Sequence, residues 1–193
     1  MYEPTGREGR DTAMITIVSG IPHSRISMMM QMLQAGGLEL LVDNPGCFDF
    51  EKVQKLRHDK TWIDQADNKV VKVITQFLPD LPADRKYKVI LMNRDFDEVL
   101  ASQSKALKRH GESGVITQAA ELKGNFEKYL LQMRAWLKQR SCFEVLEVDY
   151  AKAVKNPREQ AEAIAKFLGV RLDIAAMVQS VSRKLYRQVR NDA

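Results

Sequence analysis

The chain is 193 residues long, with 45% hydrophobic residues, 28% charged residues and a formal charge of +5. That length supports the core of one α/β domain, and the small basic excess suits an anionic ligand. No basic run interleaved with aromatics marks a nucleic-acid partner, no apolar run approaches a membrane span, and Cys47 and Cys142 fit neither a zinc nor a CxxC redox spacing. Residues 1–12 are polar and carry both signs of charge, so they read as a flexible tail before a single domain over 13–193. They hold no signal-peptide core, and the expected location is the cytoplasm.

Taken in chain order, Met14 to Ser19 is an apolar run that predicts a buried strand. A helix is predicted from Ser24 to Ala35, stopping at Gly36-Gly37. The turn between them aims backbone N–H groups and the positive end of a helix dipole at one point, and such a point binds phosphate. Leu38 to Val42 reads as a short second strand, Asp43-Asn44-Pro45-Gly46 as a turn, and residues 49–67 as polar and weakly helical. Val70 to Ile74 is β-branched and predicts a strand, separated from the next one by the breaker Leu78-Pro79-Asp80-Leu81-Pro82.

Tyr87 to Met92 predicts another buried strand, with Asn93-Arg94-Asp95 at its C-terminal end. A helix runs from Asp97 to Arg109 and ends at His110-Gly111. The longest helical pattern covers 117–139, with Phe126, Tyr129, Met133 and Leu137 at spacings of three and four. Its amphipathic face is one on which a homodimer can form. Phe143 to Val148 is a strand. Asn156-Pro157-Arg158-Glu159 is a helix start, with Asn as the cap, Pro at the first position and an acid three residues on. That helix ends at Gly169. A last one, Asp173 to Ser182, precedes the basic residues Arg183, Lys184, Arg187 and Arg190. Strands alternating with helices imply a parallel sheet covered on both faces. Ligands of such sheets sit outside the C-terminal strand ends. The loop after the first strand and the 93–95 corner both lie there, so they face one ligand.

The common NTPase loop, GxxxxGK[ST], fails when laid on Gly20, because Arg25-Ile26-Ser27 stands where Gly-Lys-Ser/Thr is needed. The pattern G-x-P-[KR]-S-G-T-[ST] fits better. Gly20-Ile21-Pro22-His23-Ser24-Arg25-Ile26-Ser27 matches it at Gly20, Pro22, Ser24 and Ser27. Arg94-Asp95 with Ser102 downstream is a second motif. With the segments DNPGCFDFE, VVKVITQFLPDLP and VDYAKAVKNPREQ, the chain resembles the P-loop sulfotransferase superfamily, near the small bacterial sulfotransferase-like proteins.

The resemblance implies a three-layer P-loop fold with a mainly parallel central sheet flanked by helices. It implies PAPS as sulfonate donor, PAP as product, and a hydroxyl or amine acceptor on a small molecule or carbohydrate. It places the donor on Pro22, His23, Ser24, Arg25, Ile26, Ser27, Arg94 and Ser102, with His23 and Lys72 serving the transferring group. It implies no metal. Arg suits phosphate because its donors form a rigid fork.

Three loop positions depart from the pattern. His23 stands where a Lys or Arg offsets charge as the sulfonate leaves, and histidine does so only when protonated. Arg25 replaces a glycine that lets the backbone approach phosphate, and Ile26 replaces a hydroxyl donor. Ile74 stands where the cytosolic branch carries a catalytic histidine, which leaves Asp43, Asp49 and Glu51 as candidate bases by position alone. Two readings stay open: a PAPS-dependent transferase, or a catalytically inactive sulfotransferase-fold protein acting as a nucleotide-binding or protein-interaction module.

Overall fold

Four parallel strands, in the order β2-β1-β3-β4, make the centre of the molecule. They are β1 (Met14–Gly20), β2 (Val70–Lys72), β3 (Lys86–Asn93) and β4 (Phe143–Asp149). The computed structural model of the chain describes residues 14–43, 48–109 and 119–181. The expectations for the 1–12 tail, Asn44 to Cys47, His110-Gly111 and the basic residues after Ser182 lie outside the described residues.

Both faces of the sheet are covered, which is why β1 and β3 read as continuous apolar runs rather than alternating ones. Ile15, Ile17, Val89 and Leu91 face a layer that contains Leu56 and Trp62, which flank short 3-10 turns, and Leu78 within another. Met133 and Leu137 of α3 (Ala119–Lys138) complete that layer. Val18, Ile90 and Met92 face the other layer, built from α1 (Ile26–Ala35), α4 (Tyr150–Lys155), α5 (Pro157–Leu168) and α6 (Ile174–Ser180). The methionine cluster of α1 fills this core, since Met28, Met29, Met30 and Met32 are all buried. Helix α2 (Phe96–Arg109) comes after β3. Its Phe96 packs on Phe126 of α3 at 4.9 Å between ring centres. Helices on both faces of a parallel sheet make the three-layer α/β arrangement expected from the sequence.

Several boundaries differ from the expectations, each for a local reason. Helix α1 starts at Ile26, not Ser24, because Arg25 is left-handed and the Ser24 hydroxyl folds back to the Ile21 carbonyl at 2.7 Å. Leu38 to Val42 is not a strand. It touches β2 through a single bridge, Leu40 to Val70, flanked by the bonds Leu41 N–H to Val70 O and Val70 N–H to Glu39 O. Strand β2 stops at Lys72 because a 3-10 turn, Thr75–Asp80, begins just beyond it. Helix α4 has no expected counterpart. Asp149 caps it by accepting from the Lys152 N–H at 2.8 Å. Asn156 precedes α5 as expected but makes no side-chain cap bond. Among the described residues no helix is long and apolar enough to cross a membrane.

Candidate functional site

The loop between β1 and α1 is built around Gly20. A Cβ there would lie 2.3 Å from Ser24 Oγ and 3.1 Å from the Met92 carbonyl oxygen, so only glycine lets the chain turn this tightly. Ser24 is fully buried, and both its N–H and its hydroxyl donate to the Ile21 carbonyl. His23 (φ 67°) and Arg25 (φ 68°) are left-handed on either side of it. Such a conformation costs a non-glycine residue roughly 1–2 kcal/mol. Left-handed residues within a turn curl amides inward, as anion-binding concavities require. Arg25 caps α1 without a side-chain cap bond. The Met28 N–H turns back to the Arg25 carbonyl at 3.1 Å, and the N–H groups of Ile26 and Ser27 ahead of it are those that a helix start leaves without an intrahelical acceptor.

The register explains what stands beside the loop. Gly20 pairs with Met92, and Asn93 pairs with Asp149, so Arg94 and Tyr150 leave the sheet side by side. The Arg94 guanidinium lies 5.0 Å from the Tyr150 ring centre, and that of Arg25 lies 5.6 Å from the same ring. Arg94 Nε donates to Glu98 at 2.8 Å, and Nη1 donates to the His23 carbonyl at 3.1 Å. The Arg94 side chain is only 4% exposed. It therefore braces the loop from behind. Burial, then Arg94 and then Arg25, push the His23 pKa below its ordinary value of 6.5. His23 is accordingly neutral at pH 7 in the free protein.

In front of the loop opens a cleft of about 870 Å³. Pro22, His23, Arg25, Ile26 and Ser27 line it from the loop. Lys72 at the end of β2 and Ser102 on α2 line it from either side. Ser24 and Arg94 are the expected site residues that do not line it. Lys72 Nζ is paired with Asp49 Oδ1 at 2.6 Å. Asp49 is placed by Asp43, whose N–H donates to the Asp49 carbonyl and whose carboxylate accepts from the Glu51 N–H at 2.6 Å. Of the three candidate bases, Asp49 lines the cleft, whereas Asp43 holds the segment in shape.

The far wall was not legible in the sequence. It is made of Phe50 just ahead of one 3-10 turn and Val53 within it, with Gln76 and Phe77 from another. A smaller hollow of about 250 Å³ continues past Pro22, Ile74 and Gln76 to Phe126 and Tyr129. Tyr150 was also missed, because its position depends on the β3–β4 register. Glu98 carried a signal, being four residues after Arg94 on a helix start. Among the described residues no group of three His, Cys, Asp or Glu side chains is gathered as metal ligands.

Comparison with known proteins agrees with this fold. The model of the sulfotransferase domain family matches residues 16–192. The sulfotransferase domain from the Synechococcus PCC 7002 olefin synthase superposes with a TM-score of 0.54 at 16% identity, over 91% of this chain and 82% of that one. The sulfotransferase domain from the curacin biosynthetic pathway gives 0.51 at 16% identity, over 88% and 78%. At such identities the two structures speak for the fold alone. No curated protein sequence matches the chain.

Proposed function

The chain belongs to the sulfotransferase domain family, and from that premise we propose that it transfers sulfonate from PAPS to a hydroxyl or amine acceptor. The observation that carries this reading is the convergence of Ser27, His23, Lys72 and Ser102 on one cleft at the C-terminal rim of the sheet. The cleft is large enough for a nucleotide and an acceptor together. Its loop end offers helix-terminal amides and the Ser27 hydroxyl to phosphate. Its β2 end offers the Lys72 ammonium. PAPS, when bound, supplies a sulfonate on a phosphate leaving group. Lys72 and the loop amides are then placed to offset the charge that develops on leaving. His23 adds a proton there once an anion has raised its pKa. Phe50, Val53 and Phe77 give the acceptor an apolar wall.

One observation favours the second reading, a nucleotide-binding or protein-interaction module without transfer. The Arg94 guanidinium is already engaged by Glu98 and the His23 carbonyl. Thermal melting with PAP, PAPS, ATP and GTP separates the two. The transferase reading expects a rise selective for PAP and PAPS, diminished for both in Ser102→Ala and for PAPS in Lys72→Met, because a ligand that binds only the folded state stabilises it. Equal shifts with all four, or none, sink it in favour of the second.

A further inference from the structure

We propose that Asp49 is a specificity-determining residue of the donor site: its carboxylate holds, on the Lys72 ammonium, the place that the donor's sulfonate takes. This rests on the donor-binding reading above. The order of elements along the rim sets the geometry. Ser102 lies on the α2 side, the anion loop comes after β1, and Lys72 ends β2 on the far side of the loop. Among the described residues lining the cleft, the permanent cations are Arg25 and Lys72. Arg25 turns toward Tyr150, on the side of β3 and β4. Any anionic group reaching past the loop toward β2 therefore meets Lys72, and there it meets Asp49 first.

The pair is built into the fold. Residues 39–41 run along β2 through the Leu41 and Val70 backbone bonds. Asp43 then clasps both Asp49 and Glu51. Phe50, next in the chain, packs edge-on against the buried Trp62 at 5.4 Å. The carboxylate is thus delivered to Lys72 by anchors on both sides. Exposure decides which partner yields. The Lys72 side chain is 20% exposed and that of Asp49 is 60% exposed. A carboxylate that already faces water rehydrates when displaced, whereas the lysine keeps its place at the strand end.

The consequence is a bias between two ligands that differ only in the sulfonate. PAP carries no group past its phosphates, so it leaves the Asp49–Lys72 pair intact. PAPS must break that pair to bring its sulfonate onto Lys72. Asp49 therefore weakens PAPS relative to PAP, and it counters the hold of Lys72 on the sulfonate before transfer.

The test is calorimetric titration of PAP and PAPS into the wild-type chain, Asp49→Asn, Asp49→Ser, Lys72→Met and the Asp49→Asn/Lys72→Met double variant, each checked for unchanged melting. In Asp49→Asn and Asp49→Ser, PAPS is expected to bind about tenfold tighter, the scale of one charge-assisted hydrogen bond. PAP is expected to change less than about twofold, the scale of a screened surface charge. Lys72→Met should erase the gain in the double variant, as coupled neighbours do. If PAP binds and PAPS is unaffected by Asp49, or if both tighten alike, the inference is overturned and the donor reading survives. If neither nucleotide binds any of the five proteins, the donor reading falls and the inference falls with it.

Discussion

His23 is the residue where sign and chemistry can be traced most directly. In the free protein its pKa lies below 6.5, through burial and the neighbouring guanidinium groups of Arg94 and Arg25. The folded state therefore binds fewer protons there than the unfolded state. Its share of stability is complete above pH 6.5 and declines as the pH falls through that value. A polyanion in the cleft reverses the electrostatics and raises the pKa. Binding then takes up a proton, so PAP affinity should rise as the pH falls and level off once free His23 is itself protonated. Titration in two buffers of different ionisation enthalpy measures that proton directly. His23→Gln should abolish both the uptake and the pH dependence. Uptake that persists in His23→Gln would locate the titrating group elsewhere. Gly20 is the steric counterpart. Gly20→Ala puts a methyl against Ser24 Oγ and the Met92 carbonyl, and urea unfolding should show a loss of about 1–3 kcal/mol. An unchanged midpoint would mean that the loop relaxes without strain.

At the scale of elements, helix starts separate what composition reveals from what it does not. Asn156-Pro157 has the residues of an N-cap and the helix begins where they say, yet the Asn156 side chain makes no cap bond. Asp173 does, accepting from the Ala176 N–H at 2.9 Å ahead of a seven-residue helix. Asp173→Ala should therefore cost about 1 kcal/mol, and Asn156→Ala only a few tenths, read as a pair of thermal midpoints. Equal losses would show that capping chemistry does not distinguish these two helices.

The same contrast runs through the fold. The strands β1 and β3, the helices α1, α3 and α5, and the placing of the loop and the 93–95 corner on one rim were readable. They rest on long apolar runs and strong breakers. The Leu38–Val42 run was read as a strand because local apolarity does not show that it meets β2 at one bridge only. The far wall of the cleft escaped because 3-10 turns carry no apolar period of their own. The position of Arg94 just past the end of β3 was legible. Its bracing of the His23 carbonyl was not, since that bond joins residues 71 positions apart.

For the whole molecule, the question is whether the three loop departures are damage or part of the packing. Ile26 is 4% exposed and sits in the core that α1 shares with α4, α5 and α6. Arg25 carries a left-handed backbone and lies against the Tyr150 ring. His23 lends its carbonyl to Arg94. Restoring the family pattern with His23→Arg, Arg25→Gly and Ile26→Thr touches all three. Glycine at 25 relieves about 1 kcal/mol of backbone strain and removes a cation–π contact of similar size, so that exchange is near balance. Threonine at 26 gives up apolar burial and places a hydroxyl at the core edge, at a cost of about 1–3 kcal/mol. Arginine at 23 adds a permanent charge where histidine is neutral. The triple variant should then be less stable than the natural chain by about 1–3 kcal/mol and bind PAP more tightly, with the pH dependence gone. Measured together by urea unfolding and titration, stability and affinity should move in opposite directions. A variant that gains affinity with no loss of stability would mean that the natural loop residues contribute nothing to the packing of α1. One that loses stability with no gain in affinity would mean that the concavity is closed by more than these three side chains.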